Sequence, residues 1–238
     1  MALGRGRLHS FPGGLGALMK SLYAILIDGG FITKKLQQRL ARHVTAEDIC
    51  LECERLQALP LVQDYELLRI YFYDAAPLSA TVTTPVAHAQ TNLSVTERAR
   101  AAQSLHANLV LKPYFALRMG QLHLSPDKWR MKPRAARNLR QAPRPLVDED
   151  FVLDIKQAGV DMRIGLDMAR LALRDMVRAV IVVTGDSDFV PAFKFVRREG
   201  VKVILEPMGH NVRPEMRQHA DIVIEPPVPA EPMERGRP

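Results

Sequence analysis

The chain has 238 residues, 47% of them hydrophobic and 25% charged, an ordinary globular composition that excludes disordered, collagen-like and coiled-coil proteins. Its 33 Lys and Arg against 26 Asp and Glu leave a net charge of +7, which points to an anionic partner. No apolar run reaches the roughly 18 residues of a bilayer span, and two cysteines are too few for a disulfide framework, which indicates a reducing, cytoplasmic setting and no membrane partner.

Residues 1–20 are rich in Gly and Arg and read as a flexible extension. Gly and Pro interrupt any signal-peptide core there, while a transit peptide and a start at Met19 rather than Met1 stay open. LYAILI (22–27) is a continuous apolar run, the mark of a strand buried on both faces, and it ends at Asp28-Gly29-Gly30. A helix is expected over 31–42, and a second one after Thr45, with Asp48 completing a capping box. LLRIYFY (67–73) reads as the next strand and ends at Asp74, before a Pro/Thr-rich loop over 75–93. A helix capped by Ser94 covers 95–108. Residues 109–124 read as extended, with a bend near Pro113 and a turn at Met119-Gly120.

A basic block follows. Residues 112–144 hold nine cations and one acid, Asp127, for a local charge of +8 on an otherwise near-neutral body. Lys128, Arg130, Lys132, Arg134, Arg137 and Arg140 are candidate contacts to a nucleic-acid backbone. Trp129, the only tryptophan, either stacks on an unpaired base or anchors the block to the body. The segment of about 125–145 reads as a basic insertion.

Order returns at Phe151, with a short extended piece over 151–157 and a helix over 160–175 whose Ile164, Met168 and Leu171 share one face. AVIVVT (179–184) is the strongest strand and runs into Gly185-Asp186-Ser187-Asp188. A helix over 188–199, a strand over 201–206, a short helix over 212–219 and a last strand over 221–225 follow, and the Pro-rich residues 226–238 read as a disordered tail. Strand–helix alternation predicts an α/β domain over 21–225 with a mostly parallel sheet.

In such a sheet Asp28, Asp74, Asp186 and Asp188 gather at the carboxyl ends of the strands, where ligands bind. Asp161 opens the helix that precedes the strongest strand. Asp167 lies six residues on, about 600° of helical turn away, so the two do not share a face. Converging carboxylates repel one another unless protonated or neutralised by a cation. With no His or Cys companions, the donor set suits Mg²⁺ or Mn²⁺. An acidic metal edge beside a basic arm suggests phosphodiester hydrolysis on nucleic acid. The plainer role of Asp161 and Asp188 is helix capping. That of Asp167 is a surface ion pair with Arg163 and Arg170.

ILIDGGF (25–31), YFYDA (71–75), GVDMRIGLDM (159–168) and TGDSDFVP (184–191), with GVKVI (200–204) and HADIVIE (219–225), resemble the NYN domain family, in particular its LabA-like branch, a relative of the PIN-domain nucleases. The resemblance implies a PIN-like three-layer α/β fold and metal-dependent RNA cleavage. By motif, Asp28, Asp161, Asp186 and Asp188 are the catalytic and metal-binding carboxylates, and Asp167 is a further acid of the metal site. The family often carries Asn where Phe31 stands, and Lys where Ala158 stands, with Lys156 two residues earlier. RNA, single-stranded or structured, is the expected partner, and self-association is left open.

Three rival readings fit parts of the pattern. A haloacid-dehalogenase-type phosphatase needs a second Asp where Gly30 stands, and a Rossmann binder needs G-x-G-x-x-G after the first strand. A non-catalytic RNA-binding module is the serious alternative. Cys50-x-x-Cys53 lies on a helix beside Ile49 and Leu56 and reads as core. His210 and His219 flank a short helix and read as surface residues.

Overall fold

The computed structural model describes residues 20–225, so the expectations for the N-terminal extension and the Pro-rich tail lie outside the described residues. The chain forms β1 (Ser21–Asp28), α1 (Gly29–Leu40), α2 (Ala46–Gln57), β2 (Tyr65–Ala75), β3 (Thr81–Thr83), β4 (Gln90–Asn92), α3 (Glu97–Leu109), β5 (Phe115–Met131), α4 (Pro133–Gln141), β6 (Phe151–Ala158), α5 (Val160–Leu173), β7 (Ala179–Val183), α6 (Val190–Arg198), β8 (Lys202–Glu206), α7 (Pro214–His219) and β9 (Ile222–Val223).

Seven strands build one sheet in the order β6-β5-β2-β1-β7-β8-β9. Every pairing is parallel except β5 with β6. The expected mostly parallel α/β architecture is what forms. The apolar runs explain it, because β1 and β7 sit at the centre and are buried on both faces. One face of the sheet packs on α5 and α6 through Leu26, Tyr73, Ile164, Met168 and Phe193. The opposite face packs on α1, α2 and α3 through Ile25, Ile27, Phe72, Leu36, Ile49 and Leu109. Each strand therefore alternates between two cores, and the sheet is the middle of three layers.

Several local expectations need correction. Thr96, not Ser94, caps α3, accepting a hydrogen bond from the Ala99 N–H at 3.3 Å. Ser94 instead lies in a short 3₁₀ turn whose cap is Asn92. The Pro/Thr-rich loop contains the β3–β4 hairpin, with Thr81 opposite Asn92.

The larger correction is at Met119-Gly120. No turn occurs there, and β5 runs straight through. Gly120 is the last residue paired with β2, opposite Ala75, and Gln121 is the first paired with β6, opposite Ala158. Glycine is required at this handover because α5 starts beside it, where a Cβ would sit 2.6 Å from the Val160 side chain and 2.8 Å from the Ala158 carbonyl.

Past this point β5 leaves the body and pairs with β6 alone as far as Met131 opposite Phe151, with a register shift between Leu124 and Trp129. At about 3.3 Å per residue along the eight residues of β6, the resulting two-stranded arm is roughly 25 Å long. Helix α4 sits at its tip, and its chain returns along β6 into α5.

Candidate active site

The end of β1 fixes the first carboxylate. Asp28 is half-buried and caps α1, one oxygen accepting the Phe31 N–H at 3.0 Å and the other the Thr184 hydroxyl at 3.4 Å. Thr184 is fully buried just after β7. Its hydroxyl also accepts the Asp186 N–H at 3.2 Å, so one side chain ties the ends of β1 and β7 together. Asp186 in turn accepts the Asp188 N–H at 2.9 Å and caps the 3₁₀ turn Ser187–Phe189. The capping duties thus fall to Asp28 and Asp186. Asp188 caps nothing there, and α5 has Gly159 before its first residue and so no side-chain cap. Asp161 and Asp188 are exposed at the same edge.

These four acids feel one another. Burial pushes the Asp28 carboxyl up to about 6. The Phe31 N–H and the Thr184 hydroxyl oppose that rise, and the charges of Asp161 and Asp186 add to it. Desolvation also raises Asp161, with the charges of Asp186 and Asp188 adding to it. Among the described residues none of the four forms an ion pair with Lys, Arg or His; the acids that do lie elsewhere, for example Asp48, Asp150 and Asp221. A partly buried, mutually repelling, all-oxygen donor set is the chemistry a hard divalent cation satisfies. Its members do not yet converge, since among the described residues no three His, Cys, Asp or Glu side chains stand close enough together to grip one ion.

Asp167 belongs to a different group. Its Oδ2 accepts the Tyr73 hydroxyl and the Arg118 Nε, both at 3.0 Å, and Arg118 also lies over the Tyr71 ring at 5.3 Å. Burial, then the Asp167 charge, raises the Tyr73 phenol far above its ordinary value. The expected pairing with Arg163 and Arg170 is not what holds Asp167, and Arg163 donates to the Gly159 carbonyl instead. Asp74 likewise stands apart, bound to His106 Nε2 at 2.8 Å. Cys50 and Cys53 are free thiols; burial raises both, and Cys53 is in the core.

The basic block is divided between the strands of the arm and its tip helix. Lys128, Arg130 and Lys132 are exposed, Arg130 facing Asp154 across the strand pair at 3.5 Å and Lys132 donating to the Glu149 carbonyl at 2.8 Å. On α4, Ala135 is buried while Arg134, Arg137 and Arg140 point to solvent. Trp129 is half-buried and its indole N–H donates to the Thr83 carbonyl at 2.8 Å. Asp148 accepts the Val86 N–H at 2.8 Å. The β3–β4 hairpin is therefore fastened to the arm at two points. The arm leaves the body at Gln121 opposite Ala158, three residues before Asp161, so the acids and the root of the arm share one edge, with the cations toward the arm's far end.

Sequence reasoning misses Thr184, whose signal is its place between a buried strand and Gly185-Asp186. It also misses Phe31, His210 and Arg213, which line a cleft of about 410 Å³ with Asp28 and Asp186. His219 lies at the other end of α7, in a separate cleft with Lys202 and Asp221.

No helix among the described residues is long and apolar enough to cross a membrane. No curated protein matches this chain. The crystal structure of a protein of unknown function from Vibrio parahaemolyticus is similar at 16% identity, covering 88% of this chain and 96% of that chain with a TM-score of 0.46. The family model of the NYN domain matches residues 126–225, from the outer part of the arm to the end of β9. That stretch includes Asp161, Asp167, Asp186 and Asp188, and over it the chain is similar to the NYN domain.

Proposed function

We propose that this protein is a divalent-metal-dependent ribonuclease that hydrolyses RNA phosphodiester bonds at the acidic edge, and that it stands nearest the LabA-like branch. The observation that carries the reading is the shared edge. Asp28, Asp161, Asp186 and Asp188 line the edge where β1, α5 and β7 end or begin, close enough for their charges to raise Asp28 and Asp161, and the cationic arm is rooted three residues from Asp161. The domain is residues 21–225, with the tip of the arm, about 125–145, as its basic insertion, and two free thiols fit a cytoplasmic enzyme. The four carboxylates are the ligands for Mg²⁺ or Mn²⁺. When bound, the metal supplies Lewis-acid activation of water and neutralises charge on the phosphate under attack. Thr184 fixes the spacing of Asp28 and Asp186, and the arm holds the RNA backbone against the edge through Arg130, Lys132, Arg134, Arg137 and Arg140. Asp167 acts on the metal site only through α5, since Tyr73 and Arg118 already occupy its carboxylate.

One observation favours a second reading, a non-catalytic RNA-binding module. The carboxylates are spread, and gathering them on one ion takes a rearrangement of side chains. Cleavage of labelled RNA and DNA, with Mn²⁺ and with EDTA, separates the two. The expected outcome is RNA cleavage with Mn²⁺, none with EDTA, and none by folded Asp186→Asn. Wild-type rates in Asp186→Asn would overturn the assignment, and RNA binding without any cleavage would leave the module.

A further inference from the structure

The acidic edge carries a second surface that metal chemistry leaves unused. Asp28 and Asp186 form one side of the cleft of about 410 Å³, while Phe31, His210, Asn211 and Arg213 form the others. Asp161 and Asp188 do not line it. The Phe31 and His210 rings meet edge to face, with centroids 5.9 Å apart and planes at 67°. The Lys35 ammonium lies 5.8 Å from the Phe31 centroid and helps to hold that ring. Both rings close onto bare backbone at Gly185, where a Cβ would stand 2.6 Å from His210 and 2.6 Å from Phe31. His210, Asn211 and Arg213 are exposed. The ion pairs of α7 are made by Glu215 with Lys194 and Arg217 with Glu225, and Arg213 takes part in none among the described residues.

We propose that this cleft is a subsite for one unpaired nucleotide next to the scissile phosphate, with its base stacked on the Phe31–His210 pair and a neighbouring phosphate on Arg213. The chemistry of the lining narrows the ligand. A purely apolar molecule would shield the charged groups of Asp28, Asp186 and Arg213 from water and give them nothing in return. A simple anion would meet two carboxylates. A nucleotide offers a π-face to the rings, a phosphate to the guanidinium and polar edges to the Asn211 amide. The volume is in the range of about 300–1,000 Å³ that holds small-molecule-sized ligands. A base in a duplex has both faces covered by its stacked neighbours, so this subsite selects single-stranded over double-stranded RNA. The Phe31 position, where the resembled family often has Asn, becomes a stacking residue in this chain.

The proposal rests on the ribonuclease reading for its scissile phosphate, so its test is made by binding rather than turnover. Fluorescence anisotropy in EDTA compares a labelled single-stranded oligoribonucleotide, the same strand annealed to its complement, and strands with one abasic nucleotide placed at successive positions. Wild type is expected to prefer the single strand and to lose affinity when the abasic position occupies the subsite. Phe31→Ala with His210→Ala should weaken binding of the intact strand by roughly 5- to 150-fold, the range for one stacked base, and should leave that abasic strand unchanged. Phe31→Tyr should restore most of the loss. Gly185→Ala, which forces the rings apart from outside the pair, should reproduce it. Equal weakening on intact and abasic strands, or none on either, would overturn the subsite. Cleavage assayed separately with Mn²⁺ reports on the nuclease reading, so a binding protein with an abasic-sensitive cleft and no turnover would keep the subsite and lose the enzyme.

Discussion

Asp28 combines a capping duty with a strongly perturbed carboxyl. As the cap of α1 it is a fixed acceptor, and burial lifts its carboxyl to about 6. A raised acid pKa means the folded chain keeps a proton that the unfolded chain releases at an ordinary carboxylate value. Its contribution therefore falls as pH rises from about 4 to above 6, by about 2–3 kcal/mol for a shift of this size. Asn keeps the capping oxygen and has no proton to lose. Denaturant titrations in EDTA are expected to show wild type losing stability relative to Asp28→Asn as pH rises through that window. Mn²⁺ at about 100 times its dissociation constant should return about 2.7 kcal/mol to wild type at pH 7, and much less to Asp28→Asn. A pH-independent difference between the two proteins would show that Asp28 is ordinary. The residue is legible in the sequence because an apolar run ending in Asp marks the end of a buried strand whatever surrounds it. Phe31, His210 and Arg213 are not, since they are far apart in the chain, follow no periodicity, and meet only because α1 and the segment after β8 flank the same strand ends.

At the scale of elements, α5 places two acids in different surroundings. Asp161 stands in its first turn among the edge carboxylates, while Asp167 is tied to β2 and β5 by Tyr73 and Arg118. Asp161→Asn is expected to abolish cleavage with little change in stability, or a slight gain at neutral pH as repulsion is relieved. Asp167→Asn should instead cost about 1–3 kcal/mol of stability, as a hydrogen-bonded charge is lost, and cost less activity than Asp161→Asn. Thermal melts and steady-state cleavage on both purified variants check the pair. Equal activity losses would bring Asp167 back into the metal site. The helix faces follow from the 600° of turn in the sequence alone, but the partners of Asp167 do not. Tyr73 reads there as one more strand residue and Arg118 as part of the basic block. The arm escapes sequence reading for a related reason. The outer half of β5 alternates as far as Leu124 and again from Trp129, but the register shift at Ser125-Pro126-Asp127 breaks the pattern between them, and Gly120 imitates a turn where it is really making room for α5. The three-residue strands of the hairpin are too short to show any period.

Over the whole molecule, charge is sorted along one edge, with anions at the root and cations on the projection. Replacing Arg130, Lys132, Arg134 and Arg137 with Ala should weaken RNA binding and flatten its dependence on salt, by about 0.7 in logarithmic slope for each single-strand phosphate no longer neutralised. Turnover at saturating RNA and Mn²⁺ should survive, because the carboxylates are untouched. An unchanged slope would show that the arm does not meet the backbone. A collapse of turnover at saturation would mean that the arm belongs to the chemistry itself.

The way the arm is rooted has a consequence for how such proteins can diverge. Its two strands meet the sheet at the Gln121–Ala158 rung, are tied farther out to the β3–β4 hairpin through Trp129 and Asp148, and carry side chains that repeat every two residues. Adding or removing the same even number of residues on both strands, beyond that rung, lengthens or shortens the reach while every remaining side chain keeps its face and Asp161 keeps its place. An odd change on one strand alone turns the outer cations to the opposite side unless a bulge absorbs it, and the register shift between Leu124 and Trp129 is a place where such a change is already accommodated. The arm is thus a ruler with a fixed zero, whose length can change without disturbing the acidic edge as long as the hairpin tied to it shifts as well.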